Sequence, residues 1–204
     1  MPVDFKNSET LKNLMRAFAG ESQARNRYTF AAGLCQQQKL QVLAEVFTFT
    51  ANQEKEHAEI FYNHMKELAG ETVHIDGGYP VDITNDILQL LRRAQHNEYE
   101  EHEPVYRDFG NTAQQEGFPK VAASFRQIAE IEQTHGNRFG HLADLLEQGR
   151  LFSAESKTAW MCLNCGYIYE GTEAPKLCPV CDHDQGYYIR LSMAPYGGAQ
   201  VLGK

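Results

Sequence analysis

The sequence predicts a mainly α protein: a four-helix bundle over residues 1–150, followed by a small metal-stapled β/loop domain over residues 158–204. Three observations predict it. Residues 1–150 contain only Pro2, Pro80, Pro104 and Pro119, and the stretches between them carry apolar residues at helical spacing. From about residue 153 the periodicity stops, and Cys, Tyr, Gly and Pro become frequent. Four of the five cysteines, Cys162, Cys165, Cys178 and Cys181, fall in that last part as two Cys-x2-Cys pairs.

Each element follows from local chemistry. The first helix starts near Ser8, where Ser8 and Thr10 offer capping hydroxyls. It carries Leu11, Leu14, Met15 and Phe18 and runs to about Gln37. The second spans about Gln41–Ala69, with Gly70 as its stop. The third spans about Thr84–Gln115, with a kink where Pro104 withholds a backbone N–H. The fourth begins after Gly117 and Pro119 and ends near Gly149. The segment 70–83, with Gly77, Gly78 and Pro80, is too long for a tight turn and is expected to cross over along the bundle. Gly149–Thr158 reads as a linker that lets the small domain swing.

Composition excludes several classes. Lys plus Arg number 19 against 27 Asp plus Glu, a net charge of −8. That balance speaks against a general binder of nucleic acid or of anionic membrane, both of which need clustered positive charge. No stretch approaches the ~20 apolar residues of a membrane span. The first residues lack the apolar core of a secretory signal. A cytoplasmic location is therefore expected.

The bundle repeats at an offset of 78. Ala44, Phe47, Ala51, Glu54, His57 and Phe61 match Ala122, Phe125, Ala129, Glu132, His135 and Phe139, and Glu21 and Glu98 keep nearly the same phase. Two similar helix pairs imply a pseudo-twofold bundle. Within it, Glu54 and His57, like Glu132 and His135, stand three residues apart, about 4.5 Å along one side of a helix. Each pair lies in an apolar stripe, where charge is costly unless paired or bound to metal. Glu21 on the first helix and Glu98 with Glu101 on the third complete the ligand inventory of di-iron carboxylate bundles. Carboxylates bridge cations and offset their charge, and imidazole suits iron. Tyr28 and Tyr106 lie two turns beyond Glu21 and Glu98, as core residues or as donors to a ligand carboxylate. His64, His74, His96, His102, His141 and His183 read as surface or locally bonded imidazoles, and Cys35 as a small buried hydrophobe.

The spacing Cys162-x2-Cys165-x12-Cys178-x2-Cys181 gives a tetrahedral four-sulfur site for zinc or one iron. Trp160, Tyr167, Tyr169, Tyr187 and Tyr188 are expected to form an apolar shell that excludes water from the metal.

With both constellations in hand, residues 8–191 resemble the rubrerythrins, a ferritin-like di-iron domain followed by a rubredoxin-like domain. Cys-x2-Cys-Gly-Tyr, Ala-Pro and Cys-Pro-x-Cys resemble the rubredoxin-like part, and the duplicated Glu-x-x-His the di-iron part. The resemblance implies that Glu21, Glu54, Glu98, Glu101, Glu132 and His135 ligate two irons. His57 matches the family's histidine that exchanges with the carboxylate at the Glu101 position as one iron changes oxidation state. Tyr28 and Tyr106 match tyrosines that hydrogen-bond to the ligand carboxylates, and the four cysteines match the ligands of a rubredoxin-type iron. Glu103-Pro104 departs from the family's pattern, as does Asp182, which stands where a glycine is common but tolerates a left-handed backbone. Residues 192–204 extend past the family's usual end.

The activity so implied is reduction of hydrogen peroxide to water, with two electrons from a diferrous site that the tetrathiolate iron re-reduces one at a time. The ultimate reductant would be NAD(P)H through a separate reductase, or a rubredoxin, in keeping with the lack of a Gly-x-Gly-x-x-Gly fingerprint. About 21 Å of helix separates His135 from Gly149. A head-to-tail homodimer would bring one chain's cysteine site beside the other's di-iron site. The alternative is a ferroxidase that handles iron as ferritins do.

Overall fold

The computed structural model describes residues 3–195; residues 196–204, at the end of the expected second domain, lie outside the described residues. Five helices form the bundle: α1 (Glu9–Gln37), α2 (Gln41–His64), α3 (Ile87–Glu100), α4 (Tyr106–Glu116) and α5 (Pro119–Glu147). Ser8 caps α1 by accepting from the Leu11 N–H, and Asp86 caps α3 by accepting from Gln89. Pro119 opens α5 where its missing N–H has no helical partner to lose.

Two expected helices differ from the sequence reading. The second ends at His64 and tightens into a 3-10 turn, Lys66–Leu68, before Gly70. The third is broken in two by a π-helical turn, Glu101–Val105, in which Glu103 leaves helical dihedrals entirely. Pro104 is the cause, since it lacks a donor and restricts the residue before it to extended backbone. The break leaves Glu101 at the end of α3 and starts α4 at Tyr106.

The chain runs up α1, down α2, down α3 and α4, and up α5, because each helix contributes in that order to two separate apolar clusters. The upper one holds Tyr28, Phe47, Leu91 and Phe139; the lower one holds Leu14, Phe61, Tyr106 and Phe125. The connection after α2 climbs the whole bundle beside α1. Lys6 meets Glu71, Arg16 meets Asp76, Arg27 meets Asp82, and Gln38 donates to the Asn85 carbonyl. Thirty-two helical residues and fourteen extended ones both cover about 48 Å, so an extended strap of this length fits the climb.

The C-terminal part is a three-stranded antiparallel sheet of order β2-β1-β3, with β1 Ser153–Cys162, β2 Ile168–Glu173 and β3 Tyr188–Arg190. β1 begins inside the segment read as a linker. The expected swing is not what the structure shows. Leu151, Ile189 and Leu191 are buried in the upper cluster of the bundle, and Arg190 donates to the Arg150 and Ser153 carbonyls. Lys39, in the α1–α2 turn with a φ of 58°, brings its carbonyl against Gly186. A Cβ at Gly186 would stand 1.9 Å from that oxygen, so only glycine permits the approach. Gly186→Ala is expected to destabilise the protein by about 1–3 kcal/mol, as other overpacking substitutions do. The checks are a thermal melt and faster proteolysis near Gly149; an unchanged melt would show that the docking is slack.

Candidate metal centres

Between the two apolar clusters lies a layer of ionisable side chains. Glu21 comes from α1, Glu54 and His57 from α2, Glu98 from α3, and Glu132 and His135 from α5, all buried. The helical spacing read from the sequence is what aims them inward. Glu21, Glu54, His57 and Glu132 form one group, and Glu54, Glu98, Glu132 and His135 another, each with one potential ligand atom per residue within 4.8 Å of the others. Glu54 and Glu132 belong to both.

The distances explain how they are shared. His57 Nδ1 lies 3.1 Å from Glu54 Oε2 and 2.9 Å from Glu132 Oε1. His135 Nδ1 lies 3.0 Å from Glu54 Oε1 and 2.8 Å from Glu132 Oε2. Each carboxylate thus gives one oxygen to each imidazole. Glu98 Oε2 adds a third contact to His135 Nδ1 at 3.3 Å, and Glu21 Oε2 stands 3.9 Å from His57 Nδ1. One imidazole nitrogen has a single proton or lone pair and cannot satisfy three oxygens. Such convergence suits a cation at each of two adjacent points, bridged by Glu54 and Glu132. Glu54 Oε1, Glu21 Oε2 and both Glu132 oxygens lack a well-aligned hydrogen bond in a fully buried place, which a metal would remedy.

The electrostatics agree. Burial, and then the charge of Glu132 and Glu54, pushes Glu21 well above the usual carboxylate range; burial and Glu54 do the same to Glu98. Burial opposes the charge on Glu54 as well, yet hydrogen bonds to His135 and His57 outweigh it and hold Glu54 near 2. Burial disfavours charge on the imidazoles, but Glu132 and Glu54 raise His57 to about 9 and His135 to about 12. Without metal, protons must therefore do the work of cations. Four carboxylates carry four negative charges, the number two ferrous ions neutralise.

Tyr28 and Tyr106 act as crossed braces. Tyr28, on the helix of Glu21, donates to Glu98 Oε1; Tyr106, on the far side of the π turn from Glu98, donates to Glu21 Oε1 at 2.5 Å. Each tyrosine also belongs to an aromatic layer that closes one end of the site. Tyr28 packs on Phe47 and Phe139, whose centroids are 5.1 Å apart, and Tyr106 packs on Phe61 and Phe125, 4.9 Å apart.

Glu101 stands apart. It is half-buried, belongs to neither four-residue group, and lines a cavity of about 360 Å³ with Gly20, Asn97, Tyr106 and the strap residues Tyr79 and Pro80. Burial, then Glu132 and Glu54, raise it to about 8. The sequence reading missed Gln53, whose Oε1 lies 3.1 Å from His135 Nε2. The amide oxygen accepts from Nε2–H, which keeps a proton on that nitrogen and would leave Nδ1 as the atom that binds a metal once the metal displaces its proton. Gln53 and His135 sit on different helices, so no spacing along the chain signals the pair.

At the other end of the chain, Cys162 Sγ is 3.8 Å from Cys181 Sγ and Cys165 Sγ 3.6 Å from Cys178 Sγ. A tetrahedron with ~2.3 Å metal–sulfur bonds has edges of about 3.75 Å. A disulfide would need ~2.05 Å. Gly166 and Asp182 occupy equivalent places after each knuckle with φ of 77° and 57°, as the turn requires. Backbone N–H groups of residues 164 and 165 point at Cys162, those of 180 and 181 at Cys178, and those of 167 and 183 at Cys165 and Cys181. Trp160 and Tyr188 are buried around the sulfurs, with Tyr167 and Tyr187 packed beside them. Tyr169, expected in the same shell, is 37% exposed and stands outside it; its ring lies along its own strand over Gly171 instead of over the sulfurs.

Comparison with known proteins bears on both centres. Residues 12–143 match the rubrerythrin family, and residues 160–189 match the rubrerythrin rubredoxin-like domain. The chain belongs to the rubrerythrin family. It is 44% identical over 184 residues to rubrerythrin of Clostridium perfringens, covering 90% of this chain and 94% of that one. Fully reduced, all-ferrous nigerythrin superposes with a TM-score of 0.61 at 25% identity over 90% of each chain. A bacterioferritin of Desulfovibrio desulfuricans shares the fold, with a TM-score of 0.61 at 23% identity over 70% of this chain and 82% of that one. The rubrerythrin chain therefore combines a carboxylate–histidine di-iron site in a ferritin-like bundle with a four-cysteine site for one iron. No helix among the described residues is long and apolar enough to cross a membrane.

Two outcomes follow from this rubrerythrin site. Groups held above their unfolded values, Glu101 at about 8 and His57 at about 9, stabilise the metal-free fold fully at low pH and lose that contribution as pH rises. Denaturant unfolding of metal-free protein is expected to show lower stability at pH 9 than at pH 5, and iron loading should abolish that fall, because metal replaces the protons. Gln53→Leu is expected to weaken iron binding in the bundle by about 10–100-fold, as loss of a partner to a ligand histidine does. Anaerobic ferrous titration measures it, and unchanged affinity would remove Gln53 from this role.

Proposed function

We propose that the chain is an iron-dependent oxidoreductase that reduces hydrogen peroxide to water at the di-iron site, with electrons relayed through the cysteine-bound iron. The observation that carries the reading is the shared placement of Glu54 and Glu132, each with one oxygen toward each imidazole, in a chain that also holds a one-electron centre. The reaction is hydrogen peroxide plus two electrons and two protons giving two waters. Two ferrous ions supply both electrons and polarise the O–O bond when bound.

The protein's part is positional. Glu54 and Glu132 would hold both ions, Glu21 and His57 would complete one position, and Glu98 and His135 the other. Glu101 is a fifth carboxylate, kept beside the cage by the Pro104 break, and could offset the greater charge of the oxidised pair in exchange with His57. Tyr28 and Tyr106 fix the terminal carboxylates, and their aromatic layers keep bulk water out. The cavity beside Glu101 is large enough for a small oxidant to approach.

The division into a bundle (1–150) and a cysteine domain (158–204) belongs to this proposal, as do a cytoplasmic setting, a separate NAD(P)H-dependent reductase or rubredoxin as donor, and a head-to-tail homodimer. The dimer has structural support. The cysteine domain docks at the α1–α2 turn, and Lys39 to Glu54 is about 22 Å of helix. Electron transfer over a shorter path then calls for a second chain. The test is anaerobic reduction followed by stopped-flow mixing with peroxide and, separately, with oxygen, watching both iron chromophores. Peroxide is expected to oxidise the di-iron site in a one-to-one ratio and faster than oxygen does, with re-reduction by the cysteine iron slowing on dilution below the dimer range. Faster reaction with oxygen and growth of an iron core would instead establish a ferroxidase, and concentration-independent re-reduction would remove the dimer.

A further inference from the structure

Tyr188 opens β3 and pairs in register with Cys162 on β1. Its side chain is 1% exposed and packs with Trp160, Cys162, Ala174 and Cys178. Its hydroxyl is buried and meets no well-aligned hydrogen-bond partner among the described residues. A buried phenol without an acceptor costs free energy comparable to a lost hydrogen bond. The side-chain group facing it is the sulfur of Cys178, with Cys162 and Cys165 close enough for their charge to act on it.

We propose that the Tyr188 hydroxyl donates an O–H···S hydrogen bond to Cys178 once the iron is bound, and that this bond raises the reduction potential of the cysteine-held iron. The inference rests on the four cysteines binding iron. A ferric ion with four thiolates carries one net negative charge. One electron, entering without a proton, makes it two. The added charge spreads onto the sulfurs, so a donor to sulfur stabilises the reduced state more than the oxidised one. Backbone amides already supply six such donors. Tyr188 adds a side-chain donor, screened from water by Trp160 and Ala174, where a dipole acts at low dielectric. Tyr188 is thus a positioning residue for electron delivery: it sets how readily the centre accepts an electron from the donor and how hard it drives the next transfer.

The experiment is a mediated redox titration of the full-length, iron-loaded protein, following the visible absorption of the ferric tetrathiolate. Tyr188→Phe keeps the ring and removes the donor. The equilibrium constant for reduction is expected to fall about tenfold, a potential lower by about 59 mV for one electron. Tyr187→Phe, whose ring instead packs on His183 with centroids 4.4 Å apart, should leave the potential unchanged. An unaltered potential in Tyr188→Phe, or an equal shift in both variants, overturns the proposal. Should Tyr188→Phe lose its iron, the parent chain grown with 3-fluorotyrosine, a stronger donor, is expected to show a raised potential; an unchanged or lowered one overturns the proposal. A parent protein without the ferric tetrathiolate spectrum would instead refute the cysteine–iron reading.

Discussion

The whole bundle is organised around charge placed where a helical bundle has its driest space. Six ionisable side chains occupy the middle of the core, none more than 5% exposed. Each isolated buried ion costs several kcal/mol even after relaxation. The cost is tolerable because every charge has an opposite within about 3–4 Å, and metal is the partner that satisfies all of them together. The rest of the fold reads as a consequence. The hydrophobic core is split into upper and lower clusters because a charged layer lies between them. Phe47 with Phe139 and Phe61 with Phe125 stand directly above and below it, as the side chains that keep the local dielectric low.

The pseudo-twofold repeat follows from the same constraint. A pair of cations needs two similar halves of a ligand shell, and duplicating one helix pair supplies them. The duplication is not strict, and its departures matter. His135 is fixed through Gln53, whereas the residue one repeat later, Ile131, stands where no amide can serve His57. Pro104 interrupts the third helix beyond Glu98, while α1 continues unbroken past Glu21 to Gln37. The two positions are therefore unequal. One has a histidine locked by a second hydrogen bond; the other has a histidine without that amide and a fifth carboxylate nearby. Inequality of this kind suits a site that changes charge during turnover, since one position can remain fixed while the other adjusts.

Much of this was legible in the sequence because ligand chemistry requires side chains at fixed helical spacing. Glu54 and His57, Glu132 and His135, and the two Cys-x2-Cys pairs are local patterns, and a local pattern survives in one dimension. What escaped was long-range. The aromatic layers combine residues from opposite repeats in crossed order, Phe47 with Phe139 rather than with its equivalent Phe125, because α2 and α5 run antiparallel. Gln53 and Tyr188 act on partners that no short spacing connects. The docking of the cysteine domain depends on Lys39 and Gly186, nearly 150 residues apart. Pro104 gave the position of a disturbance but not its form, since a π turn and a simple kink share the same missing donor.

That docking also bears on how electrons travel. Had the small domain hung on a free linker, one chain could deliver its own electrons by a swing. The buried Leu151, the Arg190 bonds to Arg150 and Ser153, and the close approach at Gly186 oppose it. Undocking would expose Ile189 and Leu191 together with the bundle residues beneath them. Exposing two such side chains costs about 3–6 kcal/mol, a penalty of roughly two to four powers of ten in population. A relay that depended on so rare an open state would be slow unless the bound donor compensated for that loss. A second copy needs no such opening. In the proposed dimer its cysteine centre would stay docked on its own bundle, and Leu177 and Val180, exposed beside Cys178 and Cys181, would be free to meet the second chain. Rigidity within one chain thus favours the proposed transfer between two chains over a swing within one.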